Sequence, residues 1–288
     1  MKWLLPITES VDYSFCWVML MKPFLTYIGS KAKFINKIEK YYPPHIRNYF
    51  EPFVGGGSIL FDLNTKYDIT KNYINDLDSD VINIYRTIKR HHKKLINYLH
   101  QLQNLSSKKD FESLVDAFNK GSTNKVLKAA IYIFINKRSF NGNLKYNQGN
   151  VAKPSYVAKK KKLSIFNEEN IQNISKLTKK MVIKNDDYIS FLEKNCPKKG
   201  DFVFLDPPYL TRGATQYYQN IFDLDDYREL KAQCDVLDKN NVNWMVTVNK
   251  HPQIQKLFKG YNIHTFKKKY AAFSNGKFDE YEMVITNY

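Results

Sequence analysis

The sequence contains few cysteines and no long apolar run, and both absences exclude classes of protein. Its three cysteines, Cys16, Cys196 and Cys234, form no CxxC or Cys/His spacing. This spacing predicts neither a zinc site nor a disulfide framework, so we expect a reducing, intracellular (cytoplasmic) setting. Charged residues interrupt the apolar pattern of residues 1–21, so we expect an N-terminal extension there that is neither a membrane span nor a signal peptide.

Acidic residues are also scarce relative to basic ones. The chain of 288 residues has 28 Asp and Glu against 45 Lys and Arg, a formal net charge of +17. Residues 85–168 alone contain 18 basic and 4 acidic residues, which is a net charge of +14. A general bias toward lysine would spread the charge evenly along the chain. Its concentration instead predicts a middle segment that faces phosphates on a polyanionic partner.

Apolar strand-like segments alternate with helix-like ones, which predicts an α/β fold on a parallel sheet with helices on both faces. The predicted strands are residues 48–53, 73–75, 181–184, 202–205, 242–248 and 282–286. The predicted helices are residues 58–63, 80–102 and 129–135. Because a polar, basic stretch interrupts this alternation, we predict an insert over residues 85–168 within a catalytic domain formed by residues 22–84 and 169–288.

The strongest chemical motif is Asp206-Pro207-Pro208-Tyr209, directly after the predicted buried strand at 202–205. Ligands of open α/β sheets bind beyond the carboxyl ends of the strands. The two prolines stiffen the backbone and remove two amide donors. The Asp206 carboxylate and the Pro207 carbonyl thus become two aimed acceptors, which suit an exocyclic NH2 group, while the ring of Tyr209 can stack on a base. The alternative is a simple tight turn, which the position after a strand disfavours.

A second motif is the glycine turn in residues 51–58, which follows the first predicted strand. Glycines there allow a ligand to approach the backbone closely. Asp76, 19 residues after Gly57, ends the second predicted strand, where an acid can hold both ribose hydroxyls of an adenosine ligand. Leu60 occupies the third glycine position of the dinucleotide fingerprint, so a nicotinamide dehydrogenase is disfavoured. The spacing of a third segment, residues 24–31, assigns it no role.

In their order along the chain, these motifs resemble those of the Dam-like, D12-class N6-adenine DNA methyltransferases, over residues 22–288. The resemblance implies a Rossmann-like S-adenosylmethionine-dependent methyltransferase sheet with an inserted, mainly helical target-recognition domain. It further implies S-adenosyl-L-methionine as cofactor, double-stranded DNA as partner, no metal, no membrane and a monomer. The catalytic residues that it implies are Asp206, Pro207, Pro208 and Tyr209.

The resemblance also implies which residues contact the cofactor and the DNA. Tyr27 and Lys31 match positions at the methionine end of the cofactor, and Asp187 and Tyr188 match positions that flank its adenine. The full cofactor set is Tyr27, Lys31, Glu51, Phe53, Gly55, Gly57, Asp76, Asp187, Tyr188 and Asp206. The implied DNA contacts are Arg138, Phe140, Asn141, Lys145 and Asn275. Departures from the family pattern at Thr26 and at residues 137–139 leave the recognition sequence open.

The implied reaction is methyl transfer to N6 of adenine in a specific short sequence of double-stranded DNA, after the target base has flipped out of the duplex. Two alternatives stay open at this point. One is a methyltransferase for another amine, such as cytosine N4 or an RNA base, and Asp206 at the first motif position favours adenine. The other is a catalytically silent nucleic-acid-binding subunit, which the retained catalytic motif and glycine turn disfavour. Whether the role is restriction protection or another kind of DNA modification is also open.

Overall fold

The computed structural model describes residues 21–27, 29–121, 123–144, 146, 151–160, 163–210, 222–268 and 281–288. Nearly all of the predicted N-terminal extension, residues 1–20, lies outside the described residues. Two predicted DNA contacts, Lys145 and Asn275, lie outside them as well. In the part of the chain that is described, no helix is both long and apolar enough to cross a bilayer.

The strands of the described residues form one sheet of seven, in the order β3-β2-β1-β4-β5-β7-β6. Their bounds are β1 Asn48–Glu51, β2 Lys71–Asn75, β3 Met181–Lys184, β4 Phe202–Leu205, β5 Asn243–Asn249, β6 Asn262–Lys267 and β7 Tyr281–Thr286. Strands β1 to β5 pair in parallel. All six predicted strands are present, with bounds that differ by no more than two residues.

The predicted parallel sheet carries one antiparallel edge. Strand β7 runs antiparallel to both β5 and β6. Strand β6 escaped prediction because none of its residues is fully buried and it lies at the edge of the sheet. Such a strand lacks the continuous apolar run that marks a strand buried on both faces.

The helices confirm the predicted α/β class. Their bounds are α1 Ile35–Ile38, α2 Ser58–Lys66, α3 Ser79–Gln103, α4 Lys108–Asn119, α5 Lys125–Arg138, α6 Glu168–Leu177, α7 Tyr188–Asn195, α8 Leu224–Lys239 and α9 Pro252–Leu257. The side chain of Asp78 begins α3 by accepting the amide hydrogens of Asp80 and Val81, and Asn124 caps α5 in the same way. These side chains satisfy amide groups that a helix leaves unpaired at its first turn.

The insert shares one hydrophobic core with the sheet. Helix α3 continues from the end of β2 into the insert, so the boundary predicted at residue 85 falls inside a helix. Tyr85 is fully buried, and its hydroxyl donates to the carbonyl of Gly55 at 3.1 Å. Helices α3, α5 and α6 pack together, and their buried side chains belong to the same cluster as Phe202 and Met245 of the sheet. The described part of residues 85–168 is therefore packed against the sheet in one common core.

The strand order fixes where a ligand can bind. The order of strands reverses between β1 and β4, which are direct neighbours in the sheet. A crevice forms at such a switch point, beyond the carboxyl ends of the two strands. The glycine turn follows β1 and the Asp206 motif follows β4, so the two strongest sequence motifs meet there.

We predict that Leu99→Ala, at a fully buried position on α3, lowers the free energy of unfolding by about 2–5 kcal/mol, because it leaves a cavity in the shared core. Urea unfolding followed by circular dichroism measures this change. The control is Val236→Ala on α8, where the side chain is about half exposed; its expected effect is within about 0.5 kcal/mol. Equal effects of the two substitutions would contradict the shared-core description.

Candidate active site

A cavity of about 480 Å³ opens at the carboxyl ends of β1 and β4. This size lies within the range of small-molecule and cofactor sites. The structure brings together here every residue that the sequence suggested for catalysis or for the cofactor. These lining residues are Tyr27, Lys31, Glu51, Phe53, Gly55, Gly57, Asp76, Asp187, Tyr188, Asp206, Pro207, Pro208 and Tyr209.

The glycine turn has a backbone that other residues could not adopt without strain. Gly55 and Gly57 have φ values of +45° and +73°. A Cβ on Gly57 would lie 2.5 Å from the hydroxyl of Tyr85, and one on Gly55 would lie 2.8 Å from the ring of Tyr27. Both the left-handed conformation and the lack of space require glycine. The bare backbone therefore lies directly at the cavity wall.

Asp76 supports this turn from the end of β2. Its carboxylate accepts the amide hydrogens of Gly55 at 2.8 Å and of Asp78 at 2.9 Å. Burial, and after it the charge of Asp78, raises the pKa of Asp76 to about 7. A ligand that donates hydrogen bonds to this carboxylate therefore favours its charged form.

Glu51, the last residue of β1, is a buried acid at the cavity wall. It is 3% exposed, and its Oε2 atom has no hydrogen-bond partner among the described residues. Burial raises its pKa well above the usual range. A buried carboxylate oxygen without a partner is costly, so a cationic or hydrogen-bond-donating ligand group would stabilise it.

Three aromatic rings that pack against one another line one part of the cavity, which we call the aromatic slot. The ring centroids of Phe53 and Tyr188 are 5.2 Å apart, and Phe222 lies 6.2 Å from each. A planar ring system can stack in such a group. Asp187 lies beside the slot and caps α7 by accepting the amide hydrogen of Ser190, which lowers its pKa. The sequence did not identify Phe222, because it stands outside the recognised motifs.

The Asp206 carboxylate is bound on both oxygens. The Lys31 ammonium donates to its Oδ2 at 2.6 Å, and the Thr247 hydroxyl of β5 donates to its Oδ1 at 2.9 Å. Lys31 is itself 2% exposed. Burial raises the pKa of Asp206, while the charge of Lys31 opposes that effect. Lys31 thus belongs to the polar group around the catalytic motif.

Two residues that the sequence did not identify extend this group into a buried ion cluster, which we define as Lys31, Asp206, Tyr209, Lys268 and Glu282. The Tyr209 hydroxyl donates to Glu282 at 3.0 Å and accepts from Lys268 at 2.9 Å. Glu282 also forms ion pairs with Lys268 and, at 3.6 Å, with Lys31. The two cations balance the two carboxylates. A charged residue in the apolar strand β7 was the one sequence feature that could have indicated Glu282.

The predicted DNA contacts divide into three groups. Phe140 and Asn141 lie in a turn after α5 and are exposed, Phe140 by 42%. Lys145 and Asn275 lie outside the described residues. The assignment of Arg138 needs correction: its side chain is fully buried, and its guanidinium donates to the carbonyl of Leu163 at 2.7 Å. Since it has no surface to offer a phosphate or a base, it supports the fold of the insert.

The open α/β sheet, the glycine turn and the acidic motif define an α/β enzyme with a ligand-binding cavity at the switch point of its sheet. Residues 27–272 match the family of D12 class N6 adenine-specific DNA methyltransferases, and the chain belongs to that family.

Several named proteins are similar over most of this chain. The type II methyltransferase M.MjaIII of Methanocaldococcus jannaschii is 32% identical, over 94% of this chain and 100% of its own length. The type II methyltransferase M1.LlaDCHI of Lactococcus lactis is 29% identical, over 93% and 96% of the two chains. The DNA adenine methylase of Escherichia coli K12 is 22% identical, over 88% and 90%. The methylation of adenine N6 in DNA that the sequence motifs implied is thereby confirmed.

Within the described ranges, no three His, Cys, Asp or Glu side chains come together in a group that could hold a metal ion. At the cavity, Asp76 is bonded to the backbone amides of Gly55 and Asp78, and Asp206 is bonded to Lys31 and Thr247.

We predict that Glu282→Ala lowers the free energy of unfolding by about 3–5 kcal/mol, because the substitution removes a fully buried carboxylate that forms ion pairs with both Lys31 and Lys268. Chemical denaturation measures the change. The matched control is Glu39→Ala, which removes an ion pair with Lys66. Glu39 is 40% and Lys66 is 35% exposed, so the expected loss of stability is only about 0.2–1 kcal/mol. A cost for Glu282→Ala as small as that of the control would show that the buried ion cluster does not contribute to stability.

Proposed function

We propose that this chain transfers the methyl group of S-adenosyl-L-methionine to N6 of adenine in a specific short sequence of double-stranded DNA, acting inside the cell as a monomer and without a metal. The observation that carries the proposal is the placement of the Asp206 motif and the glycine turn in one cavity at the switch point.

The residues at the cavity fit this cofactor. Glu51, with its unpartnered buried oxygen, suits the cationic amino group of the methionine moiety. Asp76 suits the ribose hydroxyls. Because its pKa is raised, hydrogen bonds donated by these hydroxyls favour the ionised form of its carboxylate. The slot of Phe53, Tyr188 and Phe222 suits the adenine ring. When bound, the cofactor supplies an electrophilic methyl group on a sulfonium, which needs no metal to activate it.

The catalytic motif orients the target amine. Asp206 and the carbonyl of Pro207 accept the two N6 hydrogens, which turns the nitrogen lone pair outward for in-line attack. Tyr227 of α8 donates to the carbonyl of Pro208 at 2.9 Å, so the motif is also held from outside the sheet. The N–C bond would form as the S–C bond breaks and leaves a neutral thioether. The Asp206 carboxylate would stabilise the positive charge on the nitrogen until the amine releases a proton to solvent. The contribution of this chain is therefore positioning and charge complementarity.

The target adenine reaches the motif by flipping out of the duplex. The turn with Phe140 and Asn141 is the exposed element that can insert between bases or occupy the vacated position. Cations of residues 85–168 contact phosphates, although some of these cations are bonded within the protein instead. Lys89, for example, donates to the carbonyl of Met181 at the amino end of β3, the end of the sheet away from the cavity.

The test of the function is transfer of a labelled methyl group to unmethylated double-stranded DNA, followed by digestion to nucleosides and mapping of the modified positions. We expect N6-methyladenine in one short sequence.

We predict that Asp206→Ala lowers the rate by about 100-fold or more, because the variant loses the acceptor that orients and stabilises the amine, while DNA binding stays largely intact. Asp225→Ala, at an exposed position on α8, is the control and should retain full activity. Substantial turnover by Asp206→Ala would contradict the role.

We predict that the affinity for the cofactor rises as the pH increases through about 7, because the ribose hydroxyls donate more strongly to ionised Asp76. Asp76→Asn should bind the cofactor more weakly and lose this rise. Isothermal titration calorimetry between pH 6 and pH 8.5 measures both effects. If Asp76→Asn binds with the affinity of the unaltered protein at pH 8, Asp76 does not hold the cofactor.

A further inference from the structure

One buried amide joins the exposed turn of the insert to the segment beside the cofactor cavity. Asn136, in the last turn of α5, is 1% exposed. Its Oδ1 atom accepts the amide hydrogen of Thr26 at 2.9 Å, and its Nδ2 atom donates to the carbonyl of Thr26 at 2.8 Å. The same nitrogen donates to the carbonyl of Gly142 at 2.7 Å. The carboxamide thus pairs with Thr26 as a neighbouring strand would, and also holds Gly142.

The two segments that Asn136 joins also touch each other directly. A Cβ on Gly142, whose φ is +71°, would lie 2.3 Å from the carbonyl oxygen of Thr26. Gly142 ends the turn that exposes Phe140 and Asn141. Thr26 is followed by Tyr27, whose ring lies against the glycine turn of the cavity. A displacement on one side of this junction therefore displaces the other side.

Only asparagine satisfies this junction. An aspartate of the same shape would face two carbonyl oxygens with a carboxylate and would have no hydrogen to donate. An alanine would remove the partner of the Thr26 amide, the Thr26 carbonyl and the Gly142 carbonyl, and the lost bond to Gly142 is buried and therefore costly. The junction thus depends on the chemistry of one side chain rather than on its volume.

We propose that Asn136 is a positioning residue that couples DNA binding to cofactor binding, by fixing the turn of Phe140–Gly142 relative to Tyr27 and the glycine turn. This inference rests on the proposed function. A cofactor that holds Tyr27 in place also restricts the position of the turn Phe140–Gly142. DNA that holds this turn in place restricts the position of Tyr27 in the same way. Thermodynamic linkage makes the coupling reciprocal, so each ligand raises the affinity for the other by the same factor.

The chain contains a control with the same bonding pattern at a solvent-exposed position. Asn170 of α6 pairs with Lys22 in the same two-point manner, accepting the amide hydrogen at 3.0 Å and donating to the carbonyl at 2.9 Å. It anchors the same N-terminal segment as Asn136, four residues upstream, but joins it to α6. Asn170→Asp therefore introduces the same chemical change into the same segment without altering the bond to Gly142.

The experiment measures the affinity for S-adenosylhomocysteine, the unreactive product form of the cofactor, with and without a duplex that the unaltered protein methylates. We expect the duplex to raise this affinity by about five-fold or more in the unaltered protein and in Asn170→Asp. In Asn136→Asp we expect the ratio to fall to about one. The affinity for the duplex, with and without S-adenosylhomocysteine, should change by the same factors.

Gly142→Ala keeps the proposal testable if Asn136→Asp does not fold, because it disturbs the same junction from the other side and should also abolish the coupling. The proposal is overturned if Asn136→Asp or Gly142→Ala keeps the ratio of the unaltered protein. It is equally overturned if Asn170→Asp loses the coupling, or if the unaltered protein shows none. If the unaltered protein methylates no duplex, the proposed function fails as well. If it methylates a duplex but shows no coupling, only the coupling through Asn136 fails.

Discussion

The site requires that the Asp206 carboxylate, at the end of the buried strand β4, stays charged and correctly oriented. Asp206 can stay ionised there only with a cation beside it, and Lys31 provides that cation from the N-terminal segment. Thr247 of β5 donates directly to Asp206. Glu282 of β7 contributes indirectly, because it accepts from Tyr209 and forms an ion pair with Lys31. The carboxylate that we propose to accept hydrogens from a substrate amine is thus held by contributions from separate parts of the chain.

This requirement also accounts for the antiparallel edge of the sheet. Glu282 is the second residue of β7, and it reaches the site because β7 starts beside the carboxyl end of β5, where Glu282 pairs with Asn249. A parallel strand in the same place would begin at the opposite end of the sheet. The reversal of β7 therefore brings its first residues to the end of the sheet where ligands bind. In a wholly parallel sheet this buried acid would lie far from Tyr209.

The sequence predicted the parts of the structure that leave a local pattern, and missed those that arise from contacts between distant segments. The residues that line the cavity stand in short motifs directly after strands, so their order and spacing were enough to group them. Glu282, Lys268 and Phe222 stand alone between unrelated residues, and only the folded chain brings them to the site. Strand β6 was missed for a related reason, since its partly exposed residues carry no continuous apolar run. Arg138 shows the converse error, because a basic residue near a DNA-facing turn need not face outward.

The positive charge of the insert is evidence for a polyanionic partner only to the extent that it reaches the surface. Arg138 is fully buried, Lys128 pairs with Asp80, and Lys89 is directed to a backbone carbonyl at the far end of the sheet. Each of these cations adds to the net charge of residues 85–168 while its nearest partner lies within the protein. Long-range attraction of DNA depends on the sum of charges, but contact with a phosphate depends on which ammonium groups are exposed. Under the proposed function, we therefore expect base contacts from exposed groups such as those in the turn of Phe140 and Asn141, whereas Arg138, Lys128 and Lys89 contribute to the fold or to the attraction of DNA at a distance.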